Sequence, residues 1–473
     1  MRNEHIVKQT VQEQQKQKAK KGKGHKLHWW QLSLIGIGSV IGAGFFLGTG
    51  LSIERAGPSI LLDYLIAGII AFLVFSALAE MSVHDKGAGS FKKYAQEAFG
   101  RSMGFMSGWM YWVSGILIMA SEITALSLFT QFWFPSAPLW LLMIIYAAAG
   151  FSIILLGVKN FGTLESLFAV VKIATLIGFI VFGALFLFGA VSPVDTAKSM
   201  EEGMTWFPNG FMGTWTAMIF VLFSFGGIAV VGLMSTELER KADTPKAGLS
   251  LVVVLMAIYI LSLFFVVSMV SWTAISEDES PFVTALTAFQ IPYIGTLFNL
   301  ILITAAFSTM VGALFSITKI VVSLGRDGDA PKQFSHFNKR GVATRALGLN
   351  AAALAATIVI SFLLPSKVYE YLTTAAGIIL IMNWVIILAS QIKNRDSYEE
   401  NPSKTTFFKM PGSPYTSYLG IVLIGVAITG AGFEDGERIG LFISIGIMAV
   451  IFAGYFLVKK LVGHELKEGE EHT

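Results

Sequence analysis

The chain contains no cysteine. Disulfides, thiolate chemistry and cysteine-based metal sites are therefore excluded, while the compartment stays open. Charge is scarce as well. Asp, Glu, Lys and Arg make up 14% of the 473 residues against 54% apolar residues, and the mean hydropathy is +0.67. Soluble domains carry about a quarter charged residues, so this composition belongs to a multispanning membrane protein. The seven histidines, His5, His25, His28, His84, His336, His464 and His472, all fall outside the apolar windows. A membrane-embedded enzyme would need an intramembrane group such as His-Glu-x-x-His or a serine with a base, and the histidines are not placed for it. No basic n-region, short apolar stretch and cleavage site precede the first window, so no removable signal peptide is expected.

What is abundant is apolar sequence in windows of about 20 residues, the length that crosses the hydrocarbon core. Such windows fall near 32–51, 58–80, 104–130, 138–157, 164–190, 212–236, 247–272, 294–323, 346–364, 369–391, 416–432 and 439–458. Twelve spans are thus expected, the eleventh being the shortest. Cytoplasmic loops concentrate Lys and Arg. With the N-terminal tail inside, the inner segments hold 28 of the 34 basic residues and the outer loops hold four, Arg55, Lys198, Lys367 and Arg438. Lys172 and Lys319 lie within spans. Both termini are therefore expected in the cytoplasm. Residues 1–28, with eight Lys/Arg against Glu4 and Glu13, read as a disordered basic tail that acts as a topology signal or meets anionic headgroups. Residues 89–100, GSFKKYAQEAFG, read as an amphipathic helix on the inner surface or a solvated connector. The outer segment 273–292, with Glu277, Asp278 and Glu279 before SPFVTALTAF, reads as a short helix over the outer mouth.

One stretch organises the rest. Residues 36–50, GIGSVIGAGFFLGTG, place five glycines, Gly36, Gly38, Gly42, Gly44 and Gly48, inside a window able to span. Each weakens a helix by roughly 1 kcal/mol relative to alanine. The expectation is a span that unwinds at Ile41-Gly42-Ala43-Gly44. Bare backbone at that depth must meet a ligand, water or protein, and the positive end of the half-helix after Gly44 suits a carboxylate. The alternative is close helix packing through Gly38-x-x-x-Gly42. The sixth window repeats the feature, with Gly226 and Gly227 inside FSFGGIAVVG, Phe223 to Gly232. Two interrupted spans five apart fit an inverted five-plus-five repeat with a binding site between the breaks.

At this point a resemblance carries further. The motifs GIGSVIGAGFFLGTG (36–50), ALAEMS and GAGSFKKYAQEAFG (77–100), GWMYW (108–112), EITA (122–125), FSFGGIAVVGLMSTE (223–237), SPFVTAL with IPY (280–293), VYEYLTTAAG (368–377) and FKMPGSPY (408–415) occur in order across residues 30 to 460. On them the chain resembles amino-acid permeases of the amino acid-polyamine-organocation (APC) superfamily, bacterial amino-acid transporter branch. The resemblance implies an all-α integral membrane fold with twelve transmembrane helices, a LeuT-type 5+5 inverted repeat and discontinuous helices 1 and 6. It divides the chain into the tail 1–28, a ten-helix transport core 29–392, peripheral helices 11 and 12 in 393–460, and a cytoplasmic tail 461–473. It implies that a substrate carboxylate meets the amides of Gly42, Ala43 and Gly44. The substrate ammonium would meet carbonyls of Ile41, Phe223, Ser224 and Gly226, with Phe225 beside them. Ala43 stands where many relatives have Ser or Thr, and Ala229 where many have Glu. Both changes make the site less polar and argue against a cationic side chain on the substrate.

Ionised side chains at mid-bilayer cost at least about 2.5–3.5 kcal/mol, so each needs a partner or a purpose. Lys172 lies about eight residues into the fifth span, in SLFAVVKIATLIGF. Desolvation favours its neutral amine, and carbonyls or a carboxylate favour the ammonium. A lysine held between the two can take up and release a proton; the alternative is a static structural cation. The resemblance implies that it stands where sodium-coupled relatives bind sodium, near Gly38, Ile41, Ala305, Ser308 and Thr309. Glu122 in the third span is read as a proton relay or a structural tie. Asp63 is expected at the outer interface, and Glu80, Glu237 and Lys319 read as gate or interface charges near inner ends. Phe225, Trp215, Met119 and Asn383 read as packing or as pocket and gate side chains.

These readings converge on a secondary active permease that imports a neutral amino acid, small or branched, together with a proton by alternating access. No cofactor is expected beyond the proton as coupling ion, no metal, and no nucleic-acid partner. The alternatives are an exchanger on the same fold with Lys172 static, or an amino-acid sensor or channel. The expected location is the cell membrane of a bacterium.

Overall fold

The computed structural model describes residues 27–85, 90–156, 161–192, 205–228, 238–276, 279–363, 368–400 and 408–471. The tail before residue 27, Ala229, Glu237, Glu277 and Asp278 lie outside them. In lipid the chain must satisfy its own amides and carbonyls, and the described residues do so almost wholly as helix. The one extended pairing among them is an isolated bridge between Leu27 and Leu238.

The first window is broken into α1 (Trp29–Val40), α2 (Ala43–Phe46) and α3 (Gly48–Ala56). Then follow α4 (Ile60–His84), α5 (Phe91–Phe99), α6 (Arg101–Gln131), α7 (Leu139–Leu155), α8 (Phe161–Leu187) and α9 (Gly210–Phe223). The second half holds α10 (Thr244–Met269), α11 (Pro281–Thr287), α12 (Ile294–Arg326), α13 (Thr344–Leu363), α14 (Val368–Glu400), α15 (Tyr415–Gly430) and α16 (Asp435–Glu471). Helix occupies every apolar window read from the sequence. Among the described residues seven helical stretches are long and apolar enough to cross a bilayer, and α7, α9, α13 and α15 are shorter apolar helices. Helix also runs through the boundary expected at 392 and through 461–471.

Lys92 and Arg101 meet Asp327 and Asp329, Asn394 donates to the Tyr94 carbonyl and the Met410 amide to Glu80, so the basic segments that follow α4, α12 and α14 gather at one end of the bundle, the basic face. Polar side chains tie the helices where apolar contacts alone would let them slide. Ser107 of α6 donates to Asn383 of α14 at 2.7 Å and Asn383 returns a bond to the Ser107 carbonyl. Trp112 donates to Asn350, which donates to Thr318. Asn299 reaches the Phe129 carbonyl at 2.6 Å.

One surface expectation changes. α5 is amphipathic as its pattern implies, but Phe91, Tyr94 and Ala95 are buried, and the Phe91 ring packs at a tilt against Tyr111 of α6. The apolar face is covered by protein, so α5 is docked on the bundle rather than laid on lipid. Its Lys92 is buried too, between Asp327 and Asp329, each 2.7 Å away. Beside it on the exposed face, the bond from Lys93 to Asp85 holds the Lys93 ammonium above the usual lysine range. Asp63 lies near the end of its span, as read from the sequence, but it is fully buried by protein, and neither carboxyl oxygen has a hydrogen-bond partner among the described residues. The start of α4 at Ile60 places Asp63 in the first helical turn, on the side covered by neighbouring helices. There the positive helix end favours an acid.

Candidate functional site

The glycine-rich stretch breaks as expected, over fewer residues. Ile41 and Gly42 are extended, with φ −72° and −146°, while Ala43 and Gly44 already open the next helix. Helix starts leave first-turn amides without a carbonyl one turn back, so shortening the break leaves the anion-binding end in place. It sits at Ala43. A Cβ on Gly42 would overlap Glu122 Oε1 and come within 2.9 Å of the Thr309 side chain, so only glycine lets α6 and α12 close on this point. Gly38 also serves packing: a Cβ there would lie 2.6 Å from the Ala169 Cβ on α8. Break and close contact therefore coexist.

The second break matches the first. α9 ends at Phe223, and Ser224 to Gly227 form turns before the described residues stop at Ile228. Ser224 Oγ donates to the Gly44 carbonyl at 2.9 Å and shares a hydrogen bond with the Tyr64 hydroxyl. The two interruptions touch each other.

Three main-chain groups at the first break, the Ala43 amide and the Ile41 and Ala43 carbonyls, have side-chain partners. The Ala43 amide donates to both oxygens of Glu122, at 3.1 and 3.0 Å. Tyr369 donates to the Ala43 carbonyl at 3.0 Å and Thr309 to the Ile41 carbonyl at 3.0 Å. Tyr259 donates to the Ser224 carbonyl at 3.2 Å. Lys172, 1% exposed, donates to the Gly38 carbonyl at 2.6 Å and to Thr309 Oγ1 at 2.8 Å. It lies within electrostatic reach of two carboxyl groups, Glu165 and Glu122. Of the residues grouped with Lys172 from the sequence, Gly38 and Thr309 bond it directly. Ile41 joins through Thr309, Ala305 only as a second acceptor of Thr309, and Ser308 turns to Glu165 at 3.4 Å.

A cavity of about 60 Å³ lies beside the breaks. Gly44, Glu122, Phe223, Gly226 and Thr309 line its deep end, and Ser39, Val40, Tyr111, Ser114, Ser316 and Ile317 extend it toward the basic face. On the opposite side Phe45 stacks on Tyr259 at 3.7 Å between ring centres, with Phe282 of α11 packed against it. Further out Arg55 pairs with Glu370 at 2.7 Å and with Glu437, and lies over the Phe220 ring.

The remaining candidates separate cleanly. Phe225 is buried between Tyr64 and Tyr259. Trp215 donates to the Val426 carbonyl, and Asn383 ties α14 to α6. Met119 is buried, and with Trp215 and Asn383 it is absent from the cavity wall. Glu80 accepts from Gln391 and from the Met410 amide, both at 2.9 Å, while Lys319 lies over Phe315. Sequence reading missed Glu165, Tyr369 and the Arg55–Glu370–Glu437 group. Glu165 had a signal, since it precedes Lys172 by seven residues and so shares its helix face.

The "Amino acid permease" family model matches residues 31–467. The chain is 41% identical over 440 residues to the transporter YcgH of Bacillus subtilis (strain 168), covering 93% of this chain and 96% of that protein. It is 31% identical over 431 residues to the aromatic amino acid transport protein AroP of Escherichia coli (strain K12), covering 91% and 94%. It is 30% identical over 446 residues to the amino acid permease YtnA of Bacillus subtilis (strain 168), covering 93% and 96%.

Proposed function

The chain belongs to the amino acid permease family, a multi-pass membrane transporter rather than an enzyme, and from that premise we propose that it imports a neutral amino acid together with a proton. The fold in this reading is the twelve-span, LeuT-type inverted repeat, with both termini in the cytoplasm of a bacterial cell. The observation that carries it is the meeting of Lys172, Glu122 and the broken first span at one point.

The Ala43 amide is the seat for a substrate carboxylate, and Glu122 holds that seat. Two carboxylates sharing one site cannot both stay ionised without large cost. Substrate binding therefore requires Glu122 to leave the amide and become protonated, which links substrate to proton. Lys172 completes the linkage. Its ammonium ties α1 to α12 through the Gly38 carbonyl and Thr309. Loss of its proton replaces charge-assisted bonds, roughly twice as strong as neutral ones, by weak ones and frees the two helices to rock.

The cavity supports a moving site. About 150 Å³ accommodates benzene, whose six heavy atoms equal those of alanine, and the 60 Å³ here is less than half of that. Substrate enters or leaves only as the walls part. Sealed aromatic and charged layers on one side and a cavity reaching toward the other fit a state leaning open to the cytoplasm. The wall is apolar at Val40, Ile118, Ile317 and Leu380 and has Glu122 as its one acid, which favours an uncharged substrate side chain. A small or branched residue needs the least parting of these walls; an aromatic one is the second reading, supported by the likeness to AroP.

The deciding experiment is uptake of a radiolabelled amino-acid panel into proteoliposomes with and without an inward proton gradient. Gradient-dependent accumulation of neutral amino acids is the expected result. Equal rates in both conditions, with uptake only against a preloaded amino acid, would replace import by exchange, with Lys172 a static cation.

A further inference from the structure

We propose that Glu165 is the residue that accepts the proton of Lys172 on the basic face and passes it to solvent. The proposal rests on the coupled reading of Lys172 above and adds the direction of the proton's exit. Glu165 lies on α8 seven residues before Lys172, about 10 Å nearer the basic face and on the same side of the helix. It is 2% exposed, and its Oε1 has no hydrogen-bond partner among the described residues. Its Oε2 accepts from Ser308 at 3.4 Å, and Ser308 adjoins Thr309, which Lys172 bonds. Ser39 stands beside the carboxyl group, and a Cβ on Gly312 would lie 3.8 and 4.0 Å from its two oxygens. Both Ser39 and Gly312 line the cavity, so Glu165 stands behind the cavity wall on the side that reaches the basic face.

Lys172 is thus flanked by two acids with different tasks. Glu122 faces the Ala43 amide and the substrate. Glu165 faces away from it. The other charged side chains of the packed helices are occupied elsewhere: α1 has none between Trp29 and Ile41, Lys246 of α10 lies over Trp29, Lys319 of α12 over Phe315, and Arg326 over Phe337. In the step proposed, an N–H bond of the Lys172 ammonium breaks and an O–H bond forms on Glu165 Oε1, with solvent water from the cavity as carrier. Amine and carboxyl group both end neutral. The carboxyl group then releases its proton to water on the basic face, and the amine is recharged in the next cycle. A buried ammonium alone would have no acceptor on its exit side; a side chain positioned for proton transfer is worth about 10²–10⁴-fold in rate.

The test uses the full-length protein in liposomes loaded with a pH-sensitive dye and an equimolar labelled mixture of L-alanine, L-leucine and L-phenylalanine. Proton influx, gradient-driven uptake and exchange against internal unlabelled mixture are measured for wild type, E165Q and E165D. The expected result is a fall of about 100-fold in the ratio of gradient-driven uptake to exchange for E165Q. E165D recovers most of that ratio, because a carboxyl group is restored. An E165Q ratio within twofold of wild type overturns the proposal, as does a proportional loss of all three signals that E165D does not recover, which would make Glu165 a brace between α8 and α12. Should wild type itself move no protons with substrate, the coupled reading fails first. Should wild type and E165Q both couple, only the role of Glu165 falls.

Discussion

In the proposed mechanism an ionised Glu122 and the substrate carboxylate compete for the Ala43 amide, which Glu122 occupies here. That rivalry gives the sharpest residue-scale prediction. While Glu122 is ionised on Ala43, substrate must displace an anion, so binding weakens as pH rises and strengthens as pH falls. E122Q removes the charge and keeps the shape. Equilibrium binding of the substrate at pH 6 and pH 8 should differ several-fold for wild type and little for E122Q; equal slopes for both would remove Glu122 from the coupling. G42V is the steric counterpart. Its side chain must enter the space of Glu122 and Thr309, so binding should fall below detection while the protein still inserts in the membrane, checked by monodisperse elution. At this scale the sequence was partly legible. Lys172 stood out because a charge amid apolar letters is conspicuous, and Gly38 and Thr309 do meet it. Glu165 did not stand out and Asp63 read only as an interface charge, since each lies within a few residues of a span's end. Burial there depends on neighbouring helices, which one sequence does not show.

Elements were read more surely than their docking. Glycines at period-breaking positions announced both interruptions, because helix propensity is local. The exact length of the first break was not announced: Ile41 and Gly42 are extended and between them absorb the turn of direction, so Ala43 and Gly44 are already helical. α5 was recognised from its pattern, but whether an apolar face meets lipid or protein is a tertiary matter. The outer ends of α3, α14 and α16 show the same limit. From the sequence Arg55 counts only as an outer-loop charge, and folding joins it to Glu370 and Glu437, both almost fully buried. Removing one member of a buried ion group costs about 3–5 kcal/mol, because the partner charge is left uncompensated. R55M leaves two acids facing each other and should lower the thermal midpoint more than E370Q, which leaves one pair intact. Fluorescence-detected unfolding in detergent at pH 7 measures this. Equal midpoints for the two variants would show that the group is hydrated and contributes little.

At the scale of the whole molecule, transport requires that the site open to one side and then the other, and the observed asymmetry states which side is closed. Phe45, Tyr259 and Phe282 stack above the breaks, and Arg55 with its two acids lies further out, whereas Ser39, Ser114 and Ser316 line a cavity leading to the basic face. The absence of cysteine makes this directly measurable, since any introduced thiol is the sole one. S114C places a thiol in the cavity, and S52C places one on α3 above the aromatic layer, where Ser52 is fully buried. In right-side-out and inverted vesicles without substrate, a membrane-impermeant maleimide should label S114C from the basic face and leave S52C slow from both sides. Adding substrate and a proton gradient should raise S52C labelling from the opposite face and lower that of S114C, because a rocking bundle closes one path as it opens the other. If both thiols gain or lose reactivity together, the helices breathe as a unit and alternating access is wrong for this chain. If S114C reacts only from the face opposite the basic loops, the orientation read from the loop charges is inverted, and the direction assigned to Glu165 inverts with it.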